Sequence, residues 1–525
     1  MNIQSAILAC ALLVLAAQNQ PTFRASTRLV EVSVVVHDRT GRPVADLTRA
    51  DFELLEDGQP QSIEIFSMQD ERSPAPANRS LRPAARAAVL TGDTTPADVS
   101  NWRDGQGTSV TVILIDRINS RDIDQMFVRK QVIAFLEQAG ATDRVALYML
   151  ESSRIRILHD FTTDTASLLR SLARYHARSN GDPDGAREVG PATGDADLDA
   201  FLAESRQAPQ ARAMRERAQI TAAGLETVGQ HLSGIQGRKN LIWVTSAFPL
   251  VARDELGFVT TSNAEATRVM RMLSDQNVAV YPVDDRGIPA YWVFDPAATT
   301  PLVGQATPAA PSTLAATAAN GDVMQLIADA TGGRTYATND ISRAIRRALD
   351  DSRVTYTLGY YPAQAKADQK FHRIHVNVKR AGLDVRHRAG YFAAAAPPSL
   401  ALMTTARSPL EATGLRVSAR VTGDSRQRSA AIRLEPGALV LTKSGDAWEG
   451  ALDILIAQSN SAGEYTKIFE NRLNLRFSDE QREQVIQDGV SLTRSITLQS
   501  ASHQLHVVLR DVTTGATGSL RIPLR

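Results

Sequence analysis

The sequence predicts an α/β fold with a doubly wound, mostly parallel sheet at its centre, flanked by β modules. Residues 108–352 alternate strand and helix patterns, and the continuous apolar run at 110–115 is typical of a strand buried on both faces of such a sheet. Residues 28–70 alternate apolar and polar positions, which predicts a small β module. Residues 411–525 repeat that alternation and predict a β-sandwich.

Shifts in composition divide the chain further. Residues 71–107 are rich in Pro, Ala and Arg without a sustained hydrophobic period, which is typical of a linker. Residues 393–410 begin with an Ala/Pro-rich stretch and form a second linker. The predicted segments are a signal peptide (1–17), a small β module (28–70), a linker (71–107), an α/β domain (108–352), a β extension (353–392), a linker (393–410) and a β-sandwich (411–525).

The N-terminal segment has the pattern of an export signal. The apolar run from Ala6 to Ala17 is too short to span a bilayer, which takes about 20 helical residues, but it has the length of a signal-peptide core. Because small residues end the run, we expect cleavage near Ala17 and a periplasmic, cell-surface or secreted protein. A buried N-terminal helix is the alternative, since no Lys or Arg precedes the run.

Charge and cysteine content exclude several classes of function. The formal net charge is +1, from 58 basic and 57 acidic residues, which disfavours a nucleic-acid partner. Cys10 is the only cysteine and lies within the predicted signal peptide, so we expect no disulfide and no thiolate chemistry in the mature protein. No other apolar stretch approaches the length of a membrane span, so we expect no transmembrane helix in the mature chain.

The elements of the α/β domain follow from the period of its apolar residues. Short apolar runs predict strands, and apolar residues spaced three, four or seven apart predict helices. The predicted strands cover 110–115, 144–150, 154–158, 241–245, 278–283 and 333–337. One predicted helix follows the first strand directly. The other predicted helices cover 165–175, 208–233, 264–275, 323–330 and 341–350.

Local signals also punctuate the flanking β segments. Asp57-Gly58 predicts a hairpin turn, and Ser478 with Gln481 forms a capping box for a short helix. His372 and His375 lie three apart in a predicted strand, so they point to opposite faces and make a poor metal pair. His503 and His506 have the same spacing. We expect all four histidines to be structural or surface residues.

Residues 28–392 resemble proteins with a von Willebrand factor A-type domain, and more narrowly the VWFA-related proteins of acidobacteria. The motifs that carry this resemblance occur in the family's order and spacing. They are Thr-Gly-Arg-Pro-Val at 40–44, Leu-Thr-Arg-Ala-Asp-Phe-Glu-Leu-Leu-Glu-Asp-Gly at 47–58, Leu-Ile-Asp-Arg-Ile-Asn-Ser at 114–120, Asp-Arg-Val-Ala-Leu at 143–147, Phe-Thr-Thr-Asp at 161–164, Tyr-Thr-Leu-Gly-Tyr-Tyr-Pro at 356–362 and Arg-Ala-Gly-Tyr-Phe at 388–392.

This resemblance implies a metal-ion-dependent adhesion site, in which a Mg²⁺ ion is held by oxygen ligands and accepts a partner's carboxylate. The family pattern is Asp-x-Ser-x-Ser after the first strand, a Thr on a second loop and an Asp after the fourth strand. Asp116 and Ser120 match it, and Asn119 is a further candidate ligand. Ile118 replaces the first Ser and Ser246 the second carboxylate, so the site is degenerate. We expect that no cofactor is required, although Mg²⁺ or another divalent cation remains an alternative.

A second candidate site follows the fifth strand. Asp284 and Asp285 come directly after that strand, and Trp292 and Phe294 belong to an aromatic cluster in the insertion at 284–318. Ligands of open α/β sheets bind at the carboxyl ends of the strands, and aromatic residues are enriched at interfaces. These four residues are therefore candidates for binding a protein partner, with capping of the domain's own apolar edge as the alternative.

The residues favour a binding protein over an enzyme. The sequence contains no Gly-rich phosphate loop, G-x-S-x-G elbow or H-E-x-x-H motif, so no catalytic residues are predicted. The leading hypothesis is an exported adhesion-type protein that binds an unidentified protein partner. The alternatives are a hydrolase of the cell envelope and a structural module of a surface assembly.

Overall fold

The computed structural model describes residues 30–70, 99–101, 109–120, 122–139, 144–151, 154–174, 196–235, 238–246, 252–253, 259–260, 264–285, 323–362, 370–392, 401–424, 426–436, 438–499 and 502–524. The predicted signal peptide, most of the first linker and most of the insertion at 284–318 lie outside these residues.

Strands make up most of the regular structure. They are β1 (Val30–His37), β2 (Phe52–Glu56), β3 (Gln59–Gln61), β4 (Ile65–Asp70), β5 (Val99–Ser100), β6 (Ser109–Asp116), β7 (Val145–Glu151), β8 (Arg154–Thr162), β9 (Arg238–Thr245), β10 (Ala252–Arg253), β11 (Val259–Thr260), β12 (Val278–Asp284), β13 (Tyr336–Ala337), β14 (Val354–Tyr360), β15 (Phe371–Val378), β16 (Asp384–Arg386), β17 (Gly390–Phe392), β18 (Val417–Gly423), β19 (Gln427–Leu434), β20 (Thr442–Ser444), β21 (Ala447–Asn460), β22 (Tyr465–Phe477), β23 (Val490–Thr497), β24 (Ser502–Asp511) and β25 (Thr517–Pro523).

The labelled helices are α1 (Asp122–Leu136), α2 (Thr165–Ala173), α3 (Ala196–Leu232), α4 (Ala264–Asp275), α5 (Ile341–Asp351), α6 (Leu402–Arg407) and α7 (Asp479–Asp488). A further helical segment covers 323–331. Among the residues described, no helix combines the length and the apolar character that a membrane crossing requires, in agreement with the sequence.

One six-stranded sheet lies at the centre, with the strand order β13-β12-β9-β6-β7-β8. Neighbouring strands from β13 to β7 run parallel, whereas β8 runs antiparallel to β7. Apolar residues of α1, α2 and α5 pack against one face in a single core cluster. Apolar residues of α3 and α4 and of the segment 323–331 pack against the other face.

The predicted fold class is wrong, because the chain is mostly β and is not organised as a doubly wound parallel sheet. The other sheets of the described part contain antiparallel pairs alone. The six-stranded sheet itself is mixed. Only two residues separate the edge strand β8 from β7, and a parallel crossover takes roughly a dozen residues or more, so this connection can only be antiparallel.

The strands before and after the central sheet form one body. In the sheet β16-β1-β14-β4, Val32 of β1 pairs with Leu358 of β14. In the sheet β17-β15-β2-β3, Leu54 of β2 pairs with Val376 of β15. Both sheets contribute to a single apolar core. The predicted module at 28–70 and the predicted extension at 353–392 therefore bury their apolar faces together; we call this body the paired β module.

The C-terminal residues form a two-sheet β-sandwich. The sheet β23-β19-β18-β5 and the sheet β20-β21-β24-β25, with β22 beside β21, share one apolar core. β5 comes from the predicted linker at 71–107 and pairs with β18. The predicted capping box is confirmed: Ser478 Oγ accepts from the Gln481 N–H at 3.2 Å, and Gly489 with a φ of 78° follows the helix.

His506 lies inside this sandwich as a neutral residue. It is 1% exposed, its Nε2 lies 2.9 Å from Ser459 Oγ, and the Tyr465 ring packs 4.8 Å from it. Burial, followed by the positive charge of Arg521, lowers the pKa of His506 to about 4. The structure therefore places this histidine in a structural role.

We predict that His506 makes the protein less stable in acid. The unfolded chain binds the proton near pH 6.5 and the folded chain only near pH 4, so stability is complete above pH 6.5 and falls as the pH drops towards 4. In the wild type, His506 should lower the free energy of unfolding by up to about 1.4 kcal/mol for each pH unit in this range. The His506→Gln variant retains a partner for Ser459 and should lack this pH dependence. Melting temperatures of the wild type and of His506→Gln between pH 4 and 8 measure this difference. If the two melting temperatures fell in parallel as the pH is lowered, the assignment would be contradicted.

Candidate functional site

The carboxyl ends of three central strands meet at one edge of the six-stranded sheet, which we call the sheet edge. β6, β9 and β12 are neighbours and run parallel. Their register places Thr245 beside Asp284, and Ile115 beside Val244. The residues that follow these strands therefore project from the same edge, as ligand-binding residues of α/β sheets do.

Asp116 is the centre of a hydrogen-bond network at the sheet edge. Its Oδ1 accepts from the backbone N–H groups of Ile118 and Asn119 at 3.0 and 3.1 Å. Its Oδ2 accepts from Asn119 Nδ2 at 2.7 Å, Thr245 Oγ1 at 3.0 Å and Trp243 Nε1 at 3.1 Å. Asp116 is fully buried, and burial raises its pKa, while these hydrogen bonds oppose the rise. Five donors thus occupy both oxygens of this carboxylate.

Asn119 extends the network to a helix. Its Nδ2 donates to Asp116 and also to Thr221 Oγ1 of α3, at 2.9 Å. Thr221 and Asn119 are both buried. The amide nitrogen of Asn119, not its oxygen, therefore faces the carboxylate, so Asn119 positions Asp116 and is oriented wrongly to join it as a metal ligand.

Asp285 supplies a second carboxylate to the sheet edge. Ser120 Oγ donates to its Oδ2 and Ser246 Oγ to its Oδ1, each at 2.5 Å, and the side chain is almost fully buried. Burial raises the pKa of Asp285 to about 7, the two serine hydrogen bonds oppose the rise, and the charges of Asp124 and Asp284 add to it. The loops after β6, β9 and β12 are therefore tied together through one side chain.

The sequence predicted Asp116, Asn119, Ser120 and Asp285 as site residues but not their grouping. It did not predict their hydrogen-bond partners, which are Trp243, Thr245, Thr221 and Ser246. Asp285 was expected in a partner-binding site and Ser120 in a metal site, yet the structure joins them. From the sequence, Ser246 indicates only the loss of a carboxylate, whereas in the structure it is a hydrogen-bond donor to Asp285. The available signal was the position of Asp285 after β12, the parallel neighbour of β9.

The other predicted residues occupy different surroundings. Asp284 ends β12 and is half-buried. Trp292 and Phe294 lie outside the described residues. Ile118, which replaces a ligand in the family pattern, is partly buried and packs against the apolar core beneath the sheet.

The sheet edge does not fit a bound Mg²⁺ ion in the arrangement that the structure shows. Mg²⁺ requires octahedral coordination by oxygens that are free to face it. Here both oxygens of Asp116 and both oxygens of Asp285 accept hydrogen bonds, and no buried oxygen of these residues lacks a partner. The network satisfies its own charges with hydroxyl and N–H donors.

Comparisons with known proteins add little. No protein-family model matches the chain, and no curated protein matches it. Among solved structures, the crystal structure of the human COPII-coat protein Sec24c is similar over 81% of this chain, with 10% identity and a TM-score of 0.21. The chain spans 44% of the length of that protein, and a similarity this weak carries no argument about fold or function.

We predict that Asp116→Asn destabilises the protein strongly. The substitution turns one of the two acceptor oxygens into a donor that faces other donors, and each buried polar group left unsatisfied costs about 1–3 kcal/mol. Ser120→Ala is the matched variant, because it leaves a single buried oxygen, Asp285 Oδ2, without its donor and should cost about 1–3 kcal/mol, less than Asp116→Asn, which disturbs several bonds. Melting temperatures rank the two. Equal, small losses would mean that Asp116 does not organise the edge.

Proposed function

We propose that this chain is an exported protein-binding protein of the von Willebrand factor A type, which binds a protein partner through the sheet edge. The observation that best supports this is the closed network of Asp116 and Asp285, which joins the ends of β6, β9 and β12 without a cation. Loops held in one geometry before binding lose less entropy when a partner docks. Export is inferred from the apolar run at 6–17.

We further propose that partner recognition at the sheet edge is independent of metal. In a metal-ion-dependent adhesion site, an open coordination position of the ion accepts the partner's carboxylate. Here Ile118 and Ser246 stand where two ligands are usual, and the remaining carboxylates are occupied by donors. The partner would then be held by the surrounding loops, and the site is a degenerate form of the adhesion site.

A first test measures whether Mg²⁺ stabilises the protein. A ligand of the native state at 100 times its dissociation constant adds about 2.7 kcal/mol. We expect millimolar Mg²⁺ to raise the melting temperature of the chelator-treated chain only slightly, by less than the rise that about 2.7 kcal/mol of stabilisation would produce. A large rise that is lost in Ser120→Ala would contradict metal-independent recognition, because Ser120 donates to Asp285 but is not needed for the Asp116 network.

A second test addresses the insertion that follows β12. The double variant Trp292→Ala with Phe294→Ala should lose capture of the partner from cell-envelope extract at an unchanged melting temperature, since truncating an aromatic anchor commonly costs 2 kcal/mol or more of binding. Tyr361→Ala is the matched control, because Tyr361 is an aromatic residue of the paired β module that is 47% exposed.

The double variant and Tyr361→Ala together distinguish between the possible binding faces. Retained capture with a lower melting temperature in the double variant would mean that the aromatic cluster covers its own domain. Loss of capture in Tyr361→Ala instead would move the binding face to the paired β module.

A further inference from the structure

Three side chains with metal-binding atoms converge at the tip of the β2–β3 hairpin, far along the chain from the sheet edge. Glu56 ends β2, Asp57 forms the turn, and His372 lies on β15, which pairs with β2. One ligand atom from each side chain lies within 4.8 Å of the other two. We call this group the hairpin cluster.

The spacing of the hairpin cluster is close to that of a metal site. His372 Nδ1 lies 3.4 Å from Glu56 Oε1 and 2.8 Å from Asp57 Oδ2. Ligand atoms about 2.0–2.2 Å from a tetrahedral Zn²⁺ lie roughly 3.4 Å apart. A cation that replaced the proton between His372 and Asp57 would need only a small outward movement of Asp57, whose side chain is 49% exposed.

A buried oxygen in the hairpin cluster lacks a partner. Glu56 is 8% exposed, and its Oε1 accepts from the Tyr391 hydroxyl at 2.9 Å, while its Oε2 accepts no hydrogen bond from the described residues. The Tyr360 hydroxyl lies close to this carboxylate, and burial, then the charge of Glu56, raises the pKa of Tyr360. A buried carboxylate with an unsatisfied oxygen is costly, and a cation bound through Oε1, the oxygen that faces His372, would offset part of that cost.

We propose that Glu56, Asp57 and His372 bind one Zn²⁺ ion. Two carboxylates and one imidazole are a ligand set that suits this borderline metal. Three protein ligands leave one position for water or for a carboxylate of a partner, and the exposure of Asp57 gives access to it. This proposal does not depend on the function proposed for the sheet edge.

Neighbouring groups already orient the three ligands, as outer partners do in metal sites. The Arg373 N–H donates to Asp57 Oδ1 at 2.8 Å, which leaves Oδ2 directed at His372. The Tyr391 hydroxyl holds Glu56, and the Tyr391 ring stacks on His372 with 5.4 Å between centroids. The ligands would therefore need little reordering when the ion binds.

The strand explains why His372 pairs with carboxylates and not with His375. Side chains two apart on a strand share a face, so His372 shares the face of Ile374, which pairs with Glu56. His375 faces the other way, with its ring 6.0 Å from that of His387. The expectation that His372 is only a structural or surface residue missed this pairing, because Glu56 and His372 are far apart in sequence.

The experiment titrates the chelator-treated full chain with ZnCl₂ by isothermal calorimetry. We expect one site in the wild type and a loss of affinity of at least tenfold in Glu56→Gln, Asp57→Asn and His372→Gln. Asp57→Asn is the most conservative test, since Asn tolerates the φ of 50° at this position and can still accept from Arg373. His375→Gln, on the opposite face of the same strand, is the matched control and should bind as the wild type does.

Several results would overturn the proposal. One is the absence of saturable Zn²⁺ binding by the wild type, and another is an unchanged affinity in Asp57→Asn. A loss of affinity in His375→Gln would also overturn it, because the ion would then lie at the His375–His387 pair. Melting temperatures without Zn²⁺ identify any variant that has lost its fold. Because Asp57→Asn retains the turn, its affinity decides the question if another variant does not fold.

Discussion

The centre of the molecule depends on the hydrogen bonds that the Asp116 carboxylate accepts. A fully buried carboxylate is unfavourable by itself, and five donors offset that cost. Those donors come from its own loop and from β9, and Asn119 adds α3 through Thr221. The carboxylate thus holds the end of β6 in register with its neighbours, and Asp285 repeats the arrangement at the end of β12.

Buried polar contacts also join the central sheet to the paired β module. Arg388, which is 7% exposed, donates to the carbonyl oxygens of Ser274 and Glu31, both at 2.8 Å. Asn277 donates to Ser33 at 2.6 Å. Breaking these contacts would leave buried donors or acceptors unsatisfied, so they fix the two parts against each other. The sheet edge and the hairpin cluster therefore belong to parts that are held together by specific bonds.

The two candidate sites differ in how far protein donors satisfy their buried carboxylates. At the sheet edge, hydroxyl and N–H donors satisfy both oxygens of Asp285 and of Asp116. In the hairpin cluster, Glu56 Oε2 accepts no hydrogen bond from the described residues, and His372 Nδ1 lies 3.4 Å from Glu56 Oε1. The proposal of a Zn²⁺ site in the hairpin cluster, and of metal-independent binding at the sheet edge, follows from this difference in the number of donors. The resemblance to a metal-dependent family pointed to the sheet edge because sequence patterns record ligand types and not how many donors surround them.

The sequence by itself determined the local elements. Period-two alternation placed β1 and β24, the Ser478 capping box placed α7, and the apolar run at 110–115 placed β6, because each depends on neighbours within a few residues. Tertiary structure alone decided which strands pair. The predicted fold class was wrong because the antiparallel sheets outweigh the central one, and because the edge strand β8 runs antiparallel to β7. Tertiary structure also decided that Ser120 meets Asp285, 165 residues away, since such contacts depend on packing that no local pattern encodes.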